Sequence, residues 1–133
     1  MRASARLILK KLKFDHILDD IRDELHWLPV KQRISFKICM YVRKCLHHEA
    51  PAFYLSNMLT SVSDVDALRR HRSADRTDLI VPRTKTVRYG DRSFAVSGQR
   101  LWNALPAELR TPDISMNDFK RGLKTMLFKQ TFA

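Results

Sequence analysis

Apolar residues fall at Phe14, Ile17, Leu18, Ile21 and Leu25, the i, i+3, i+4, i+7, i+11 rhythm of one helical face, while Asp19, Asp20, Asp23 and Glu24 take the other. This pattern predicts an amphipathic helix with an acidic, solvated side. After His26-Trp27-Leu28, Pro29 brings a fixed φ and no N–H, which suits the first turn of a helix, so a second helix is predicted from about Val30 to His47. Ile34, Ile38, Tyr41, Val42 and Cys45 line one side of it and Phe36 and Met40 another, which makes it the expected central core element. Lys31, Arg33, Lys37, Arg43 and Lys44 give it basic edges, and His47 and His48 near its end are favoured by the helix dipole when protonated. Pro51 opens a short predicted helix through Phe53, Tyr54, Leu55, Met58 and Leu59.

The periodicity lapses between Thr60 and about Asp78, where Ser, Thr and Asp give way to Arg69-Arg70-His71-Arg72, and an exposed loop or linker is expected. Leu79-Ile80-Val81-Pro82 and Thr86-Val87-Arg88-Tyr89 read as two short extended segments with a turn at Gly90, so a small hairpin is expected over 79–89. Phe94, Gly98, Leu101, Trp102 and Leu105 return at helical spacing and stop at Pro106. A final helix is predicted from about Ser115, whose hydroxyl is placed to cap it with Asp118, through Phe119, Leu123, Met126 and Leu127, with Lys120, Arg121, Lys124 and Lys129 on its outer side. The fold class expected is mainly α: a small orthogonal helical bundle of four to five helices, with a short hairpin and an irregular basic loop. The expected organisation is one domain or fragment over 1–133, divided into a helical half (1–59), an exposed loop or linker (60–78), and a part (79–133) with extended segments followed by two helices. Internal repeats at a 20 to 50 residue period are absent from the sequence, as are heptad arrays and low-complexity tracts.

A chain of 133 residues that is 44% apolar can build one core, but not a catalytic domain beside a binding domain. No apolar run approaches the roughly 18 residues of a membrane span. Leu7-Ile8-Leu9 is broken at once by Lys10-Lys11-Leu12-Lys13, so a secretory signal is not expected and an intracellular chain, nuclear or cytoplasmic, is. The cysteines agree with that expectation. Cys39 and Cys45 lie six apart on one helix, about 9 Å between Cα atoms and beyond disulfide reach, and are read as buried thiols. Cys45, His47, His48 and His71 lack C-x2-C or H-x3-H spacing, so no metal is expected, and no cofactor either.

Catalysis finds little purchase in the sequence. G-x-S-x-G, H-E-x-x-H and G-x4-G-K-[ST] are absent, and three glycines leave little for a phosphate-cradling loop. A two-metal site needs carboxylates converging from separate elements to hold ions about 4 Å apart, whereas Asp19-Asp20 lies within one helical pattern, turned away from the apolar stripe, and is read as solvated helix face. Trp102, set in an apolar helical stripe, is read as core rather than as a base-stacking platform. Charge is the feature left over. Lys and Arg number 25 against 14 Asp and Glu, a formal net charge of +11, and residues 68–92 hold eight bases against three acids. Such a field attracts polyanions without reading sequence. Arg69, Arg70, Arg72, Arg83, Lys85, Arg88 and Arg92 are therefore the expected phosphate contacts, with RNA or DNA as the partner.

Three strings carry a family resemblance: Leu25-His26-Trp27-Leu28-Pro29-Val30 continued by Gln32-Arg33-Ile34 and Phe36-Lys37-Ile38; Val81-Pro82-Arg83-Thr84 followed by Tyr89-Gly90-Asp91-Arg92-Ser93-Phe94; and Arg100-Leu101-Trp102-Asn103-Ala104-Leu105-Pro106 with Phe119-Lys120 and Leu127-Phe128 after it. In this order they resemble the region C-terminal to the polymerase domain in non-LTR (LINE-type, jockey/CR1-like) retrotransposon reverse transcriptases. Ala5-Arg6-Leu7-Ile8 and Lys13-Phe14-Asp15-His16-Ile17 resemble the family's entry into that region, so the similarity covers nearly the whole chain. It implies an element-encoded protein that nicks target DNA and copies its own RNA from the exposed end. The family's aromatic-x-Asp-Asp motif lies upstream of this region and its Cys/His knuckle has no counterpart here, so no catalytic residue carries over. The resemblance thus implies a non-catalytic C-terminal fragment that contacts template RNA or target DNA. Two alternatives stand beside it: a packing module that docks on the polymerase thumb, and a basic nucleic-acid-binding adaptor taken over by a host.

Overall fold

The computed structural model describes residues 1–49, 53–65, 77–86 and 89–132. Among them the chain forms α1 (Arg2–Ile8), α2 (Leu18–Asp23), α3 (Val30–Leu46), α4 (Phe53–Ser56), a 3-10 turn (Val62–Asp64), α5 (Phe94–Asn103), α6 (Ala107–Arg110) and α7 (Met116–Phe132). Helix is the dominant structure and no β-strand occurs among the described residues.

Pro29 stands where its chemistry predicts, immediately ahead of α3, and its carbonyl accepts the first helical bond from Arg33 N at 2.9 Å. α3 is the central element, packed against both α5 and α7. Its buried arc matches the expected one only in part. Val42 and Cys45 are buried and Ile38 packs against the core, with Cys39, Met40 and Arg43 buried beside them, while Ile34 and Tyr41, expected on the same side, are exposed. The reason lies in the partners. Val42 lies against α5, where Gly98 permits the approach: a Cβ added there would stand 3.1 Å from Val42 Cγ2. Around the same circumference Arg43 lies over the Phe119 ring of α7, 4.9 Å from its centroid. With α5 and α7 on that side, the Ile34/Tyr41 side is left to solvent.

The main core runs from Leu28 through Val42, Trp102 and Leu105 to Phe119, Leu123 and Leu127, so both ends of the chain contribute to it. Trp102 is 2% exposed, donates from Nε1 to Thr77 O at 3.0 Å, and stands 6.1 Å from the Phe119 ring. Gln99, also buried, donates from Nε2 to Met58 O at 2.8 Å and ties α5 to the turn after α4. A second, smaller cluster joins Ala5 of α1 to Ile17 and Ile21, with Leu25 and Trp27 against it. The amphipathic helix expected around 14–25 is thus only α2, and Phe14 lies outside it, 90% exposed. Lys11 explains part of this. It forms an ion pair with Asp20 at 3.0 Å and the Leu12 amide donates to Asp15 Oδ2 at 2.7 Å, which bends the chain back before α2 starts.

Of the hairpin expected over 79–89, Val87 and Arg88 lie outside the described residues, and the first segment makes a different pairing. Leu79 bridges antiparallel to Ser61, with Val62 N donating to Asp78 O at 3.0 Å and Ile80 N to Thr60 O at 2.8 Å. Asn103 of α5 completes the clamp: Oδ1 accepts from Leu79 N at 2.8 Å and Nδ2 donates to Leu79 O at 2.7 Å. The backbone groups that a hairpin partner would use at Leu79 are taken by this side-chain amide. Of the segment 60–78, expected to be an exposed loop or linker, residues 66–76 lie outside the described residues. In the described part Val62 is buried, and Asp78 is ion-paired to Arg110 of α6.

α7 starts as the sequence predicts. Ser115 Oγ accepts from Asp118 N at 3.1 Å and donates to Asp118 Oδ2 at 2.7 Å. Ser115→Ala is expected to cost about 1 kcal/mol, read as a fall in urea midpoint with unchanged slope. A midpoint equal to that of the parent chain would show that the cap does not hold α7.

Candidate nucleic-acid interface

Seven arginines and lysines are expected at the phosphate site. Arg69, Arg70, Arg72 and Arg88 lie outside the described residues. Arg83, Lys85 and Arg92 are exposed and flank one closed loop. Thr84 Oγ1 donates to Asp91 Oδ1 at 2.9 Å, and Gly90 N reaches Thr86 O at 3.1 Å. Gly90 is required by this closure, because a Cβ there would meet Thr84 Cβ at 2.6 Å and Thr86 O at 2.7 Å. The loop also holds an acid. The Thr84 hydroxyl, and Arg100 beside it, hold the Asp91 carboxyl below its ordinary range, so a negative charge stands among the three bases.

A stronger basic surface lies between α3 and α7. Arg33, Lys37 and Lys44 recur at i, i+4 and i+11 on α3, and Lys120 and Lys124 at i, i+4 on α7, so each helix presents one cationic row. The helices pack so that these rows face a common groove. One cavity of about 280 Å³ is lined by His26, Trp27, Leu28, Arg33, Phe36 and Lys124. Its neighbour, about 270 Å³, is lined by Phe36, Lys37, Met40, Tyr41, Lys44 and Lys120. Phe36 belongs to both, and no acidic residue lines either. None of the five cations has an ion pair among the described residues, whereas Lys11, Arg22, Arg100, Arg110 and Arg121 all do. Aromatic rings stand between the charges. Lys37 Nζ lies 5.5 Å from the Tyr41 ring centroid, and the exposed His26 ring meets Phe128 edge-on at 5.8 Å.

The sequence names all five cations as helix edges or outer faces but does not join them, because the α3 and α7 rows are some eighty positions apart in the chain. Arg43, counted from the sequence as one of the basic edges, is not part of the groove. It is 4% exposed, with Nη2 donating to Ile114 O. Burial holds its guanidinium below the ordinary arginine range, with the charge of Glu49 acting against that.

Other chemistry is limited. Cys39 and Cys45 are buried free thiols; burial pushes Cys39 up to about 12 and raises Cys45 as well, with a hydrogen bond to Ser56 opposing. Neither thiol is a thiolate nucleophile near neutral pH. Asp19 and Asp20 point to separate cations, Asp19 to Arg22 and Asp20 to Lys11. No group of three or more His, Cys, Asp or Glu side chains capable of holding a metal occurs among the described residues. Likewise, no helix there is long and apolar enough to cross a membrane. No family model matches the chain, and neither a curated protein nor a solved structure is found similar to it.

Proposed function

We propose that this chain is a non-catalytic module that holds RNA or DNA by its phosphates, in the manner expected of a C-terminal region of a LINE-like reverse transcriptase. The observation that carries the reading is the α3/α7 groove, with five cations free of ion pairs among the described residues, no acid in its lining and aromatic rings between the charges. Cations on two helices that neutralise phosphates release the counterions condensed on the nucleic acid, which favours binding at low salt. Arg83, Lys85 and Arg92 offer contacts of the same kind from the loop ahead of α5.

The test is a salt titration of oligonucleotide binding between 50 and 200 mM. Lys37→Gln combined with Lys124→Gln removes two exposed charges without touching the core. It is expected to weaken binding roughly tenfold and to reduce the slope of log K against log salt by about 1.4 on single strands or about 1.8 on duplex. A parent chain whose binding ignores salt, or a double variant with unaltered slope, would overturn the assignment.

A second reading, a module that packs on the polymerase, draws on a different observation. Leu7, Leu12 and Phe14 are 81, 75 and 90% exposed within eight residues of one another, beside the smaller of the two core clusters. Loss of nucleic-acid binding with retained association to a polymerase domain would favour it.

A further inference from the structure

We propose that the α3/α7 groove takes single-stranded nucleic acid, with a base stacked at Tyr41, and discriminates against duplex. The proposal rests on the reading of the groove as a phosphate site and adds which form of nucleic acid fits it.

The first argument is size. The two adjoining cavities, about 280 and 270 Å³, are each near the small end of small-molecule sites. Cavities of that size suit single unpaired bases, whereas a duplex keeps its base faces stacked inside and offers the groove mainly its phosphates.

The second argument is the composition of the lining. A site for phosphates alone needs cations, and the ring faces in this groove would contribute nothing to it. Tyr41 is 37% exposed although it belongs to the central helix, and it is kept in contact with solvent beside Lys37 rather than turned into the core. Phe36 joins the two cavities, so a base in one has an aromatic wall shared with its neighbour. Aromatic faces interleaved with unpaired lysines give stacking to unpaired bases while the cations track the backbone, a combination that a duplex cannot use because its base faces are hidden. From Arg33 to Lys44 the row rises about 16 Å along α3, enough for about three to five nucleotides.

The experiment compares binding of the full chain to a labelled 12-nucleotide single strand and to the same sequence as duplex, by fluorescence anisotropy at 100 mM salt, as RNA and as DNA. Single strands are expected to bind at least tenfold more tightly. Tyr41→Ala is expected to lose about tenfold on single strands and nothing on duplex, whereas Lys37→Gln weakens both. Tyr41→Leu, which keeps apolar bulk without a π face, serves as the folding control and is expected to match Tyr41→Ala in binding with an unchanged thermal midpoint. Equal or tighter binding of duplex overturns the single-strand assignment and leaves the phosphate site standing. So does a Tyr41→Ala loss of equal size on both forms. Failure of both forms to bind overturns the phosphate site itself.

Discussion

Trp102→Ala is expected to lower the unfolding free energy by about 3–5 kcal/mol, as large-to-small changes of buried aromatics do. The ring is 2% exposed, lies against Phe119, and sits where α5 meets α3 and α7, so no neighbour is free to fill the space. A domain of this size commonly has 5–15 kcal/mol in hand, so the variant forfeits a large share of it. Trp102→Phe separates packing from hydrogen bonding. It keeps most of the apolar volume but leaves Thr77 O without the Nε1 donor, and is expected to cost about 1–3 kcal/mol. Urea unfolding followed by circular dichroism, with slopes compared, measures both. A cost below 1 kcal/mol for the alanine variant would show that α5 is not held in the core.

Arg43 gives the second large effect, and its sign depends on what replaces it. The side chain donates from Nη2 to Ile114 O and lies over Phe119, but Nε and Nη1 have no hydrogen-bond partner among the described residues. Arg43→Ala removes the donor to a partly buried carbonyl and empties the space, and is expected to cost about 2–4 kcal/mol. Arg43→Met keeps the bulk and removes a desolvated charge along with its two orphaned nitrogens. Exchanges of that kind are often neutral or stabilising, so methionine is expected to fall within about 1 kcal/mol of the parent. Equal losses for alanine and methionine would show that the Ile114 bond, rather than packing, is what Arg43 contributes.

The parts of the fold legible in the sequence are those whose signals are local and redundant. The bounds of α3 follow from Pro29 and a 17-residue periodic run, and those of α7 from the Ser115/Asp118 cap ahead of Phe119. Trp102 declares itself core by its stripe. α6 escapes notice because four residues between Pro106 and Thr111 carry no periodicity. α1 escapes because five bases in thirteen residues mask an alanine that is fully buried. The buried face of α3 is legible only in part, Val42 and Cys45 being buried as expected but Ile34 and Tyr41 not, and for a different reason. Apolar residues occur nearly all round it, so its orientation depends on where α5 and α7 sit, and only the fold decides that. The groove fails the same way: each basic row is visible, but the fact that they face each other is a tertiary property. The loop cations Arg83, Lys85 and Arg92 stood out by local density, which says nothing of the acid, Asp91, closed among them.

The order in which the core is assembled also has a temporal side. The bond between Arg43 and Ile114 spans 71 positions of the chain. At a synthesis rate of 5–20 residues per second, about 4–14 s pass between polymerisation of the arginine and of the residue that supplies its acceptor. Through that interval α3 emerges with Val42 and Arg43 uncovered and Phe119 not yet made. The nascent chain therefore carries its central helix as an unfinished half-core on the ribosome, where holding chaperones find their substrates, and closure of the bundle waits on translation rather than on diffusion.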